Sequence, residues 1–275
     1  MQLNNLGQRF FTALFGAAAI ITCIVLSPYT FTAAFYLLAM LTQYEYLLII
    51  KPLKQESYKS ELHIAGNLTL GTLLYVLIML IAYQVVSISY FSLLFVLFAS
   101  IIILELFKNR PNPFQYIGLR IIGLVYVVMP FALLNMISIS GNDFYPIITL
   151  GILFIIWTND VFAYFTGRAF GRHKLFERIS PKKTWEGFAG GFVAAIACAY
   201  IFSTYAFTLN TTQWLITGAL VSITGTYGDL AESMFKRSLH IKDSSGILPG
   251  HGGFLDRFDA LLIAVPFVYA WLSLI

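Results

Sequence analysis

Long apolar runs alternate with short polar breaks along this chain. Nine runs, near 10–26, 30–50, 64–82, 90–107, 117–136, 145–166, 187–207, 213–233 and 258–275, have the roughly 20 residues that a helix needs to cross a bilayer. The first is not followed by a small-residue cleavage site after Leu26, so it reads as a span rather than a signal peptide. The breaks differ in charge. With Arg9 and the N-terminus placed in the cytoplasm, all 17 Lys and Arg residues fall on or near the cytoplasmic side. The breaks near 27–29, 83–89, 137–144 and 208–212 contain none. This is the positive-inside pattern, which a wrong number of helices would scatter. The expected fold is an all-α integral membrane protein, a polytopic helical bundle of about nine transmembrane helices with a cytoplasmic N-terminus.

Composition narrows the class further. The chain is 59% hydrophobic and 11% charged, with a mean hydropathy of +0.79, whereas a soluble domain carries about 25% charged residues. Orientation beside an anionic leaflet accounts for the pI near 9.0 and for Lys51, Lys54 and Lys59. Cys23 and Cys198 fall inside spans without metal-ligand spacing and read as buried thiols. The pattern divides into N-terminal helices over 1–140 and C-terminal helices over 141–275, whose cytoplasmic loops span 167–186 and 234–257.

Three spans of the second part carry acids, and an ionisable group in a span marks a functional site by default. In the sixth, Asp160, Tyr164, Gly167 and Gly171 follow Asn159 at spacings of one helical face. The two glycines admit a close backbone, and Asp160 has a packing role as its alternative reading. In the eighth, Ser222, Gly225, Thr226, Asp229, Glu232, Ser233 and Lys236 form a polar stripe, which faces the bundle interior or a wet cavity rather than lipid. An interhelical hydrogen-bond seam is the bland alternative.

The ninth span opens with Asp256, Arg257 and Asp259. Its two acids lie one turn apart, where capping accounts for one of them. Upstream, the glycine-rich stretch Gly250-His251-Gly252-Gly253 leads into a helix start, a setting that presents N–H groups to anions. His251 alone does not separate turn bonding from function. The loop between the sixth and seventh spans has six basic residues, including Arg168, Lys182 and Lys183, against two acids. Ser180-Pro181 there reads as an N-cap and N1 pair. Carboxylates able to hold a divalent cation beside cations able to hold phosphates point to phosphate chemistry. Neither a P-loop nor a Rossmann glycine pattern is present.

The runs SMFKR from Ser233, Lys242-Asp243, LPGHGG from Leu248 and LDRFD from Leu255 resemble the signature of the phosphatidate cytidylyltransferase family, also called CDP-diglyceride synthetases. WTNDVFAYFTGRAFGR from Trp157 and SPKKTWEG from Ser180 are similar to it as well, so the motifs cover about 157–259. The resemblance implies a Mg²⁺-dependent nucleotidyltransferase of phospholipid biosynthesis. It would transfer CMP from CTP to phosphatidate, giving CDP-diacylglycerol and pyrophosphate. Asp229 and Asp256 become the first-choice metal ligands, with Asp160, Glu232 and Asp259 as further candidates. Lys236, Arg237 and Arg257 would act on the reacting phosphates. Asn159, Asp160, Arg168, Lys182, Lys183, Lys242, Gly250, His251, Gly252 and Gly253 would bind substrate. Residues 1–140 become a scaffold or dimer interface, and a homodimer in the bacterial cytoplasmic membrane is expected. The expected partners are CTP, phosphatidate and the bilayer; nucleic acid is not among them. Two rivals stand beside this reading. One is a transporter, to which Glu45 and Glu105 near the inner ends of the second and fourth spans contribute. The other is a related CTP-dependent lipid kinase or ether-lipid cytidylyltransferase.

Overall fold

The computed structural model describes residues 2–50, 60–108, 111–241, 244–245 and 252–275. Ten α-helical segments follow one another: α1 (Gln2–Leu26), α2 (Pro28–Ile49), α3 (Ser60–Ala82), α4 (Leu93–Leu106), α5 (Pro113–Ile122), α6 (Met129–Ser138), α7 (Pro146–Phe170), α8 (Trp185–Tyr205), α9 (Thr211–Ser238) and α10 (Leu255–Leu272). A π-helical turn, Gly123–Val128, joins α5 to α6, so these run on as one helix. Pro130 lies just inside α6 and cannot donate a helical hydrogen bond. The wider turn before it absorbs that defect, and the Met129 N–H bonds the Leu124 carbonyl. With that join counted, nine long helices stand among the described residues, one for each expected span. The protein is an all-α, multi-pass membrane protein.

Five of these helices, Ile64–Ala82, Ile88–Leu106, Pro113–Ser138, Pro146–Phe170 and Trp185–Tyr205, are long and apolar enough on composition alone to cross a membrane. α9 is not among them, because its polar stripe lowers its mean hydropathy while packing against other helices.

The chain forms two compact units. Met1–Phe144 with Ser244–Leu255 makes the first, and Tyr145–Asp243 with Asp256–Ile275 the second. In the first unit, Phe31, Phe35, Tyr46, Tyr75 and Phe131 are almost wholly buried. A ring of hydrogen bonds ties α2, α3 and α6 together. Thr32 Oγ1 donates to Asn135 Oδ1 at 2.8 Å, Asn135 Nδ2 to Tyr75 Oη at 3.0 Å, and Tyr75 Oη to the Thr32 carbonyl at 2.9 Å. Where no water competes, such closed polar sets hold helices in register.

Small residues set the spacing in the second unit. A Cβ at Gly187 would stand 2.8 Å from the Ala163 carbonyl and 3.1 Å from Gly167 Cα. At Gly191 it would stand 2.8 Å from the Asn159 carbonyl oxygen. The expected close approach at Gly167 and Gly171 is therefore made by α8, with Thr184 and Gly187 against the two glycines. Gly228 plays the same part for α9, against the backbone of Asp259 and Ala260 on α10.

The loop after α7 departs from expectation. After the short antiparallel pair Ile139–Ser140 (β1) and Asp143–Phe144 (β2), which precedes α7, Lys174–Phe176 (β3) pairs antiparallel with Ser180–Thr184 (β4), in the register Lys174↔Thr184 and Phe176↔Ser180. Ser180-Pro181 thus lies in a strand and starts no helix; Pro181 is tolerated because a two-stranded ribbon is all edge. The N-cap of α8 is Thr184, whose Oγ1 accepts from the Gly187 N–H at 3.2 Å. Glu186 completes the corner. Its carboxylate accepts from the Arg172 N–H at 3.0 Å and the His173 N–H at 3.2 Å, and meets His173 Nδ1 at 2.6 Å.

Candidate active site

A pocket of about 590 Å³ opens in the second unit, within the size range of small-molecule sites. α7 lines it with Asn159, Asp160, Tyr164, Gly167 and Arg168, β4 with Lys182, Lys183 and Thr184, α8 with Gly187 and Phe188, and α9 with Thr226 and Asp229. Six predicted site residues from three separate stretches therefore meet here: Asn159, Asp160, Arg168, Lys182, Lys183 and Asp229.

One cation of the pocket is paired directly with an acid. Lys183 Nζ lies 2.6 Å from Asp229 Oδ2. Asp160 and Asp259 both stand within electrostatic reach of Asp229 and Lys183. Arg168 Nη1 donates to Tyr164 Oη at 3.3 Å across one turn of α7. Asn159 is held from behind: fully buried Ser222 donates to its Oδ1 at 2.6 Å. Asn159 Nδ2 donates to Asp160 Oδ1 at 3.5 Å.

A second cluster forms where α9 meets the start of α10. Lys236 Nζ sits between Glu232 Oε2 at 2.7 Å and Asp256 Oδ1 at 2.6 Å. Burial disfavours the ammonium charge, but the hydrogen bonds to Asp256 and Glu232 outweigh it and raise the Lys236 pKa above its ordinary value. Asp256 and Asp259, one turn apart in sequence, thus face different neighbours, Lys236 for the first and the Asp160–Asp229–Lys183 group for the second. Arg237 and Arg257 are exposed, and Arg237 Nη1 donates to the Ile241 carbonyl at 3.3 Å. Gly252 has a φ of +80°, which favours glycine, and Gly253 is buried. Lys242, Gly250 and His251 lie outside the described residues, as do Lys51, Lys54 and Lys59.

The sequence profile of the cytidylyltransferase family matches residues 7–275. The chain belongs to this family. It is 33% identical to a phosphatidate cytidylyltransferase of Bacillus subtilis, over 98% of both chains. An enzyme of the same name from Haemophilus influenzae is 46% identical over 43% of each chain. One from Brucella abortus is 40% identical over 54% of each. The family match extends through α1–α6, where the motifs read from the sequence did not reach.

Some of the pocket's wall was missing from the sequence reading. Thr184, Gly187 and Phe188 line the pocket although only the neighbouring lysines stood out; the Thr-x-x-Gly spacing of a capped helix was the available signal. Ser222 and Thr226 were read as part of the polar stripe of α9 but were not assigned to the site. Glu45, read from the sequence only as support for a transporter, accepts from the Phe254 N–H, and Glu186 accepts from the Arg172 N–H; backbone donors leave no mark in a sequence.

Proposed function

We propose that this chain transfers the cytidylyl group of CTP to phosphatidate, giving CDP-diacylglycerol and pyrophosphate. One observation carries the reading: a family match along nearly the whole chain accompanies a pocket lined by Arg168, Lys182 and Lys183 together with acids on α7 and α9. A phosphatidate oxygen attacks the α-phosphorus of CTP. The new P–O bond joins lipid to nucleotide as the bond to the β-phosphate bridging oxygen breaks, and pyrophosphate leaves with the electron pair. The attacking phosphate is already ionised near neutral pH, so no side-chain nucleophile is needed. The main barrier is the approach of two anions, which fixed cations lower.

In this reading Lys182, Lys183 and Arg168 receive phosphates at the pocket rim, and Lys236 does so at the start of α10. Arg237, Arg257 and the described glycines Gly252 and Gly253 are assigned to the same phosphates. Asn159 orients Asp160. The donors suit Mg²⁺: hard carboxylate oxygens beside a phosphate site, where this ion takes one or two protein carboxylates and completes its shell with phosphates and water. Among the described residues no three of His, Cys, Asp and Glu converge on one point, so a set of one or two fits. Asp229 is the first choice, with Asp160 or Asp259 beside it; Asp256 and Glu232 are the alternative pair. When bound, Mg²⁺ would neutralise charge on the triphosphate. The bacterial relatives support the cytoplasmic membrane as its location, and a homodimer rests on the resemblance, to be tested by crosslinking in membranes.

The test uses detergent-solubilised protein, phosphatidate, and CTP labelled in the cytidine or in the γ-phosphate. Cytidine label should enter the organic phase with Mg²⁺ and not with chelator, and Asp229→Asn should remove it. Only γ-phosphate in the lipid would make the protein a kinase, and no label from folded protein would sink the reading.

A further inference from the structure

Glu45, on α2, is fully buried at 0% exposure. Its Oε2 accepts from the Phe254 N–H at 2.7 Å, and its Oε1 from the Leu255 N–H at 3.3 Å. Those are among the N–H groups at the start of α10, which have no partner within the helix. A carboxylate from more than two hundred residues away in sequence thus does what an N-cap side chain does elsewhere.

The receiving segment is shaped for it. Gly252 turns the backbone at a φ of +80°. Gly253 leaves the space: a Cβ there would collide with the Glu45 carboxylate and the Ser244 hydroxyl. Phe254 and Leu255 then supply the two donors. A local Ser or Asp at 254 would cap this helix without burying a remote charge, which costs several kcal/mol before its bonds are counted. What the remote acid adds is a fixed position for the backbone next to Asp256, and Asp256 is the group that holds Lys236.

We propose that Glu45 is a positioning residue for the cytidylyl transfer. It locks the backbone of Gly253–Leu255, the residues that lead along the chain into Asp256 and Arg257. The assignment rests on the proposed reaction for its activity readout, whereas the lock itself has a readout independent of catalysis.

The experiment pairs hydrogen exchange across 252–256 with steady-state kinetics on the full chain in detergent, for Glu45→Ala and Glu45→Gln. The Gln variant is isosteric, keeps one acceptor and turns a donor toward the other N–H, and serves both readouts if Glu45→Ala does not fold. Exchange of the Phe254 and Leu255 amides should quicken at least about ten-fold. The kcat should fall on the order of 10- to 100-fold, with KM for CTP little changed and the remaining amides protected as in wild type. Unchanged exchange at those two amides would overturn the lock. Faster exchange with wild-type kcat, or a lowered thermal midpoint with normal turnover by the folded fraction, would overturn the positioning role. A wild type that puts no cytidine on lipid would remove the reaction and this role with it, while exchange would still show whether the lock exists.

Discussion

Lys183 and Ser222 show two ways in which one side chain shapes this site. Lys183 is the cation nearest Asp229, at 2.6 Å, in the wall of the pocket. Replacing it with Met should lower kcat/KM for CTP on the order of 100-fold, the usual scale for losing one preorganised charge partner of a transition state; initial rates against CTP concentration would read this, and a wild-type value would remove Lys183 from the phosphate site. Ser222 acts at one remove. Ser222→Ala leaves the buried Asn159 Oδ1 without its 2.6 Å donor, which should cost about 1–3 kcal/mol; a thermal midpoint in detergent equal to wild type would contradict that account. At this scale the sequence was informative about charge and poor about neutral support. Asp160, Asp229 and Lys183 stood out because charge is rare in apolar helices. Ser222 was visible only as one member of a stripe, without a partner, because a hydroxyl in a membrane helix bonds its own backbone as readily as a neighbour.

Helices and their contacts were legible to different degrees. Apolar run length marked each helix, and the small-residue faces of α7 and α8 were visible as spacings. Glycines of equal appearance should nevertheless behave oppositely. At Gly191 a Cβ would stand 2.8 Å from the Asn159 carbonyl and 3.0 Å from Ala163 Cβ, so Gly191→Ala should destabilise by about 1–3 kcal/mol through overpacking. Gly66, inside α3, has nothing within 4 Å of that position, so Gly66→Ala should stabilise by about 0.5–1 kcal/mol through helix propensity. Thermal midpoints of the two variants check the pair, and a shift of the same sign in both would refute the packing argument. The β3–β4 ribbon was not legible. Its Ser-Pro pair matches a helix start, and only the three-dimensional pairing of Lys174 with Thr184 moves that start to Thr184.

For the whole molecule, the pattern of 17 basic residues yields a prediction that helix geometry alone does not. With the native Cys23 and Cys198 replaced by Ala, Ser87→Cys should react with an impermeant maleimide on intact cells, and Lys174→Cys only after lysis; the reverse result would invert the orientation. The grouping of residues 244–255 with the first unit was out of reach of sequence reading, since it depends on backbone donors that every residue shares. The paired lysines also have a consequence for how a catalytic cycle ends. Lys183 and Lys236 each have an acid of the protein at 2.6 Å, so an arriving phosphate competes for cations that already have partners. In the proposed reaction that competition would limit how tightly pyrophosphate is held. On its departure Asp229 and Asp256 would recover the ammonium groups, and the internal pairing that opposed entry would become a driving force for product release.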